Sequence, residues 1–486
     1  MSSLAGTAAL ARLALRRDRV VLAVFVLVLV VMVAASASAT VKLYPTEASR
    51  VNAAAAIDSS TAALAMYGPI HDKTSVGALS TFKMGMMGAI AIAILALFVV
   101  IRHTRAEEET GRLELLGATV VGRRAPLTAA LLVAGGASVV AGAGSGLGLI
   151  LVGMPVAGSV VMGLGFACLG IVFAAVAGVT AQLIKSARTA AGLAGVVLGV
   201  AYLLRAIGDA AAGLGWASWL SPVGWWQQTR PFAGDRWWVL TLPLAAAIAL
   251  AALAYVLAAR RDFAAGLLPD RPGPATAAAS LRSPLALAWR LQRGSFFAWA
   301  AAFAVIGVVF GGLASNVGSF LTSPQARDFI TKLGGEQGLR DAFLATELGM
   351  AGVMAAVYGV QAALRLRTEE SALRSEPLLA TAVGRSRWAW SHLVIALAGS
   401  ATLLVIVGAT AGLVGARQVG DGQFGRLVVA ALVQIPAVWL VIGIVVAAFG
   451  LVPRLVVLGW VALVGFVLLG ELGALFNLSQ SVMDVS

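Results

Sequence analysis

The residues best placed to do chemistry are two sets of charges in matched order. Glu107, Glu108, Arg112 and Glu114 lie in RHTRAEEETGRLELLGATVVGRR, from Arg102 to Arg124, and Glu369, Glu370, Arg374 and Glu376 lie in RTEESALRSEPLLATAVGR, from Arg367 to Arg385. A shift of 262 positions superposes the two stretches without a gap, also placing Arg105 on Arg367, Leu116 on Leu378, Thr119 on Thr381 and Gly122 on Gly384. Interleaved acids and bases can make charge-assisted hydrogen bonds to a partner. On a helix, Glu108 and Arg112 share a face at a spacing of four, as do Glu370 and Arg374. Leu115 and Leu116 follow as an apolar knob. The expectation is a short docking helix, present twice. A loop kept only for membrane topology has no need of the same acidic order at both places.

Other chemistry finds little support. His71, His103 and His392 are far apart, and the single Cys168 lies in an apolar run, so neither a metal cluster nor a disulfide is expected. No GxxxxGK[ST], HExxH or serine-elbow pattern occurs, so no catalytic residue and no cofactor of the chain's own are expected. Of the 486 residues 60% are hydrophobic and only 12% charged, about half the charged share of a soluble domain. Such a chain cannot clothe a core in polar side chains, so its solvent is largely lipid. The net charge of +13 does not indicate nucleic acid, because the basic residues sit between apolar runs rather than on a polar domain.

The elements that must position the two charged stretches are membrane spans. Residues 2–19 read as an amphipathic surface helix carrying Arg12, Arg16, Arg17 and Arg19, with 20–37 as a retained first span rather than a signal peptide. A polar loop follows over 42–80, with helical pieces around 53–66. Spans two to six fall near 82–101, 127–152, 160–179, 190–204 and 239–259, each close to the roughly 20 residues a hydrocarbon layer requires. The loop 205–238 holds Trp216, Trp219, Trp225, Trp226, Trp237 and Trp238, which read as anchors at headgroup level rather than a ligand cage. PDRPGP at 269–274 is a linker that no helix crosses. The pattern then restarts: a surface helix at 281–293, span seven at 296–314, a polar loop at 316–344, and spans eight to eleven near 348–364, 393–414, 427–449 and 456–475.

The architecture expected is an all-α polytopic membrane protein of two similar halves, 1–262 and 281–486, joined by a linker at 263–280. Each half reads as a parallel six-span repeat. The second stops before its twelfth span, an omission at the natural C-terminus rather than a missing helix. Placing both charged stretches, the N-terminus and the linker on one side gives that side 23 basic residues against 12 opposite. The positive-inside rule makes the richer side cytoplasmic.

The chain resembles the fused permease subunits of actinobacterial ABC exporters, the polyketide-antibiotic or tetronasin-type group. RHTRAEEETGRLELLGA and its partner from Arg367 carry the likeness. So do LYPT at 43–46, AMYGPIHD at 65–72, AQLIKSARTAAGLAG from Ala181 and LSP at 220–222. The resemblance implies six spans per half, with the segment between the second and third forming a coupling helix on an ABC ATPase. Glu107, Glu108, Arg112 and Glu114 would then make the first dock, and Glu369, Glu370, Arg374 and Glu376 the second. It implies two copies of an ATP-binding subunit holding ATP and magnesium, a bacterial plasma membrane setting, and a hydrophobic or amphipathic cargo such as a drug, polyketide or lipid-like molecule. The second copy departs at Ser371, Leu373 and Pro377, where the first has Glu109, Gly111 and Leu115.

Two other function classes stand beside this one. An ion-gradient transporter should carry buried charges within its spans, where this chain has few. A membrane scaffold without translocation would show no ligand-stimulated ATPase in its assembled complex.

Overall fold

A computed structural model describes residues 3–58, 61–117, 120–211, 213–262, 265–268, 275–316, 335–419, 423–452, 459–460 and 463. The chain divides into two compact units, Met1–Pro272 and Gly273–Ser486.

The first unit opens with α1 (Thr7–Leu43), followed by two short helices, α2 (Glu47–Asp58) and α3 (Thr61–Tyr67), then α4 (Val76–His103). Two short pieces come next, α5 (Arg105–Glu109) and α6 (Arg112–Gly117). The remainder is α7 (Ala125–Leu151), α8 (Val156–Leu183), α9 (Ala187–Ala210), α10 (Pro222–Gln228) and α11 (Thr241–Arg260). The second unit contains α12 (Pro284–Asn316), α13 (Gly335–Ala363), α14 (Arg365–Ser371), α15 (Glu376–Leu379), α16 (Arg385–Val419), α17 (Gln423–Leu432) and α18 (Ile435–Leu451). Ten helical stretches among the described residues are long and apolar enough to cross a membrane, six in the first unit and four in the second. The protein is an all-α polytopic membrane protein. The span expected near 456–475 lies largely outside the described residues, as does most of the loop at 316–344, although 335–344 is already helical.

Two expectations are corrected. The surface helix at 2–19 does not lie apart from the first span, because α1 runs through both without a break. Nothing in Thr7–Leu43 is Gly or Pro, so no residue turns the chain at the hydrocarbon boundary. The helix at 281–293 likewise continues into the next span as α12. The span near 427–449 is present as one apolar stretch, with a turn at 433–434 between α17 and α18. Pro436 lacks the N–H that would continue the first helix's ladder, and the second helix starts over at Ile435.

Most of the core of the first unit is built on α8, whose faces pack against α4, α7, α9 and α11. Phe166, Val172 and Phe173 on α8 are fully buried. The α7–α8 contact brings backbone against backbone. A Cβ on Gly142 would lie 2.2 Å from the Gly163 carbonyl oxygen, and one on Gly163 would lie 2.5 Å from that of Gly142. Without a hydrophobic drive between helices in lipid, such close approach is a main source of association. In the second unit α12 and α16 meet in the same manner: a Cβ on Gly311 would lie 2.5 Å from the Ala411 carbonyl oxygen. The pairing pattern repeats between units, α1 with α7 and α4 with α8, then α12 with α16 and α13 with α18.

The tryptophan loop divides its labour. Trp216, Trp237 and Trp238 are exposed, as headgroup anchors should be, whereas Trp226 is 6% exposed and stacks on Phe166. It fills a slot left by Gly85 on α4 and Gly165 on α8, so it is a core wedge and not an anchor.

Gly142→Leu should lower the unfolding midpoint of the purified chain in detergent, because overpacking costs about 1–3 kcal/mol and here a carbonyl cannot yield. Gly136→Ala, where an added Cβ meets nothing within 4 Å, should not lower the midpoint, since alanine is the better helix former by about 0.5–1 kcal/mol. Equal midpoints for both variants would remove the close α7–α8 contact as a source of stability.

Candidate functional site

Both charged stretches begin where a long helix ends and both break at the same place. In the first unit α5 stops at Glu109, and Gly111 follows at φ +71°. In the second, α14 stops at Ser371, and Leu373 follows at φ +57°. Leu373 is the counterpart of Gly111, so the second copy keeps the left-handed turn without glycine, at a cost of about 1–2 kcal/mol. The same capping bond forms in each: the Gly111 N–H donates to the Glu108 carbonyl at 3.0 Å, and the Leu373 N–H to the Glu370 carbonyl at 2.9 Å.

This turn changes who pairs with whom. A continuous helix would set Arg112 beside Glu108. After the turn Arg112 lies 3.6 Å from Glu107, and Arg374 lies 3.0 Å from Glu369. The pairing across the break is therefore shifted by one residue from the expected one, and in both units alike. The other acid of each pair turns back into its own short helix: Glu108 meets Arg105 at 2.5 Å and Glu370 meets Arg367 at 3.4 Å.

The environments differ. In the first unit the Glu108 side chain is only 7% exposed and is held by Arg105 and, from the end of α11, by Arg261, which makes two hydrogen bonds to it. The Arg105 Nε also donates to the Ala181 carbonyl at 2.9 Å, and its terminal nitrogens reach the Ala265 carbonyl at 3.1 Å. Arg261 Nε donates to Gln182 Oε1 at 2.6 Å. Residues 267 and 268 run alongside the end of α8, their N–H groups donating to the Gln182 and Leu183 carbonyls at 3.1 and 2.9 Å. Glu109 accepts the Ala187 N–H at 2.7 Å, a carboxylate on the N-terminus of α9. Glu107 takes Arg17 from α1 at 2.6 Å, and one residue on, the buried Asp18 takes His103 at 2.6 Å and Arg102 at 3.3 Å. The stretch is thus tied to α1, α8, α9 and α11.

In the second unit Glu369 is the buried acid, paired with Arg365 at 2.7 Å as well as with Arg374, while Glu370 is 48% exposed. Gln292 of α12 occupies the position of Asp18 of α1 in the repeated prelude, and meets the buried His392 at 3.1 Å. Five residues of the expected sets face outward: Glu114, Glu370 and Glu376 are exposed, and the Arg112 and Arg374 side chains are 57% and 55% exposed. Leu115 is 76% exposed, an apolar knob as the sequence suggested. The residues that spacing did not reveal are Arg17, Arg261 and Gln182. Arg261 lies 153 positions from Glu108, and no local pattern announces a contact across that distance. Among the described residues no group of three His, Cys, Asp or Glu side chains gathers to hold a metal ion.

A polytopic helical chain that sets two matched charged turns at the ends of its spans has the form of a transport permease. Residues 7–258 and 281–486 match the family described as the C-terminal domain of the multidrug efflux system permease Rv1217c. The multidrug efflux system permease protein Rv1217c of Mycobacterium tuberculosis (strain ATCC 25618 / H37Rv) is 48% identical over 488 residues, an alignment covering 100% of this chain and 88% of that protein. The chain belongs to this family of ABC-2-type efflux permeases and is a membrane permease component of an ABC-type transport system.

Glu108→Gln should lower the unfolding midpoint strongly, since removing one partner of a buried ion pair costs about 3–5 kcal/mol. Glu370→Gln should move it little, because an exposed pair contributes about 0–1 kcal/mol. Thermal unfolding of the two purified variants checks the contrast, and equal effects would contradict the burial of Glu108.

Proposed function

We propose that the chain is the membrane subunit of an ATP-driven exporter. In this reading two six-span halves in one chain receive two copies of an ATP-binding subunit that carries ATP and magnesium. The N-terminus and both charged turns face the cytoplasm across a bacterial plasma membrane. The observation that carries the reading is the duplicated turn, in which an acid and an arginine pair across a left-handed residue at positions 262 apart in both units. Glu114, Arg112 and Leu115 form the first docking surface, and Glu370, Arg374 and Glu376 the second. Glu107, Glu108 and Glu369 hold those surfaces rigid from behind. A rigid dock is what transmits motion, because a segment that yields on contact would absorb it. Closure of the ATP-binding subunits would draw the docks together and tilt the halves between inward and outward access.

The cargo is a hydrophobic or amphipathic small molecule, in the class of drugs, polyketide antibiotics and lipid-like compounds. The open groove between α1 and α7, lined by Leu22, Val26, Val30, Val133, Gly136 and Val140, is wholly apolar, like the lipid-facing surface around it. It offers nothing to a sugar or an ion.

Cysteines placed at Thr110 and Ala372, with Cys168 replaced by Ser, should react with an impermeant maleimide only in opened cells, and one at Glu47 should react in intact cells. Labelling of Thr110 and Glu47 from the same side would defeat the topology. In complexes reconstituted with the ATP-binding subunit, the double variant Glu114→Arg, Glu376→Arg should lose most substrate-stimulated ATP hydrolysis or fail to co-purify that subunit. Charges at such a contact are worth about 2–5 kcal/mol when buried on docking. Both changes lie at exposed positions, so the permease itself should remain folded. Coupling at the wild-type level would leave these turns as topology signals only.

A further inference from the structure

At the end of α4 opposite the charged turn, a partly enclosed recess of about 50 Å³ is walled by Tyr67, Ile70, Phe82, Trp226 and the 227–233 loop. By volume it has room for roughly three or four water-sized groups. Three of the side chains that line it bring polar atoms that are buried and have no hydrogen-bond partner: His71 Nε2, both amide atoms of Gln227, and Arg230 Nε. Gln227 itself is 7% exposed. The Gln227 amide also lies close to Asp209 and against Gly68. Buried polar groups are nearly always satisfied, and each left alone costs about 1–3 kcal/mol. Several in one small recess mark a place shaped for an acceptor that is brought from outside.

The charges around it decide the sign of that acceptor. Arg230 lines the recess, and Arg236 is close enough to act on His71. Burial, with help from these two arginines, holds the His71 imidazole at a pKa of about 4, so it is neutral at ordinary pH. The acid that His71 feels, Asp58, is already engaged by Lys73 at 3.0 Å and by the Ile70 N–H at 3.2 Å. The site therefore presents amide and guanidinium donors, one of them cationic, with no carboxylate among its lining residues. Its other walls are aromatic and aliphatic, and exposed Trp216, Trp237 and Trp238 in the same loop region mark the headgroup level of the bilayer. The 227–236 loop is held open around it by left-handed residues Arg230, Phe232 and Asp235, with Phe232 wedged over Gly77 and Gly158.

We propose that this recess is a binding site for the anionic head, a phosphate or carboxylate, of an amphiphile in the membrane face opposite the charged turns. Arg230 supplies the charge, Gln227 supplies an N–H donor, and the aromatic walls accept the first carbons of the tail. The site does not depend on which face is outward, nor on the ATP-binding subunit, so its failure and that of the transport reading are separable.

Native mass spectrometry of the full chain in a neutral detergent tests it, with short-chain phosphatidic acid, the matching diacylglycerol and inorganic phosphate as probes. The expected result is one phosphatidic acid bound at least tenfold more tightly than either other probe. Arg230→Gln and Gln227→Glu should each weaken it tenfold or more, while Arg12→Gln at the other end of the unit should not. Should Arg230→Gln fail to fold, Gln227→Glu, of nearly the same shape, decides the matter alone. Equal binding by the wild type and a folded Gln227→Glu variant would overturn the proposal. So would diacylglycerol or free phosphate binding as tightly as phosphatidic acid, since the first needs no anion site and the second needs no amphiphile.

Discussion

A carboxylate removed from water must be paired, and in the first unit Glu108 is paired twice. Arg105 approaches it from its own short helix and Arg261 from the end of the last span. Both arginines have donors to spare, and they place them on the carbonyls of Ala181 and Ala265 and on Gln182. The ends of α4, α8 and α11 are fixed relative to one another by this one acid. The geometry of the turn that follows, and with it the direction in which Leu115 and Glu114 point, rests on that fixed base.

The second unit solves the same problem with different residues. Glu369, not Glu370, is the buried acid, and its partners Arg365 and Arg374 both come from the same stretch of chain. The fixing there is local, whereas in the first unit it spans three helices and the start of the linker. The two turns share a backbone and a cross-turn ion pair but differ in what holds them. Ser371 in place of Glu109 fits this contrast, because the first copy uses that acid to reach the N-terminus of α9.

Much of the fold could be read in the chain. Apolar runs of span length placed the ten long helical stretches, because a backbone in lipid has to satisfy its own hydrogen bonds and the helix is the local way to do so. The duplicated acids also located the turns. The error over Glu108 and Arg112 came from assuming an unbroken helix through Gly111. Glycine there was a visible warning, but Leu373 at the matching position argued against a left-handed residue, and the structure adopts one in both. The surface helices were misjudged for the opposite reason: Arg16 to Arg19 marked a change of solvent, not a change of backbone. Arg261 and the Trp226 slot depend on contacts between distant segments, and hydropathy carries no information about those.

The first helix has a mechanical consequence. It contains no proline or glycine across its 37 residues, so at 1.5 Å per residue it is a rod about 55 Å long. One end is clamped to the first turn through Arg17 and Asp18, and the other continues past any bilayer's hydrocarbon depth to reach the α2 region. A stiff rod, packed along its length on α7 and α4, carries a tilt at one end to the other. Each degree of rotation about Arg17 and Asp18 sweeps Leu43, about 38 Å away at 1.5 Å per residue, through about 0.7 Å. A rotation of about 3° at the clamp thus arrives at the opposite membrane face as a movement of about 2 Å.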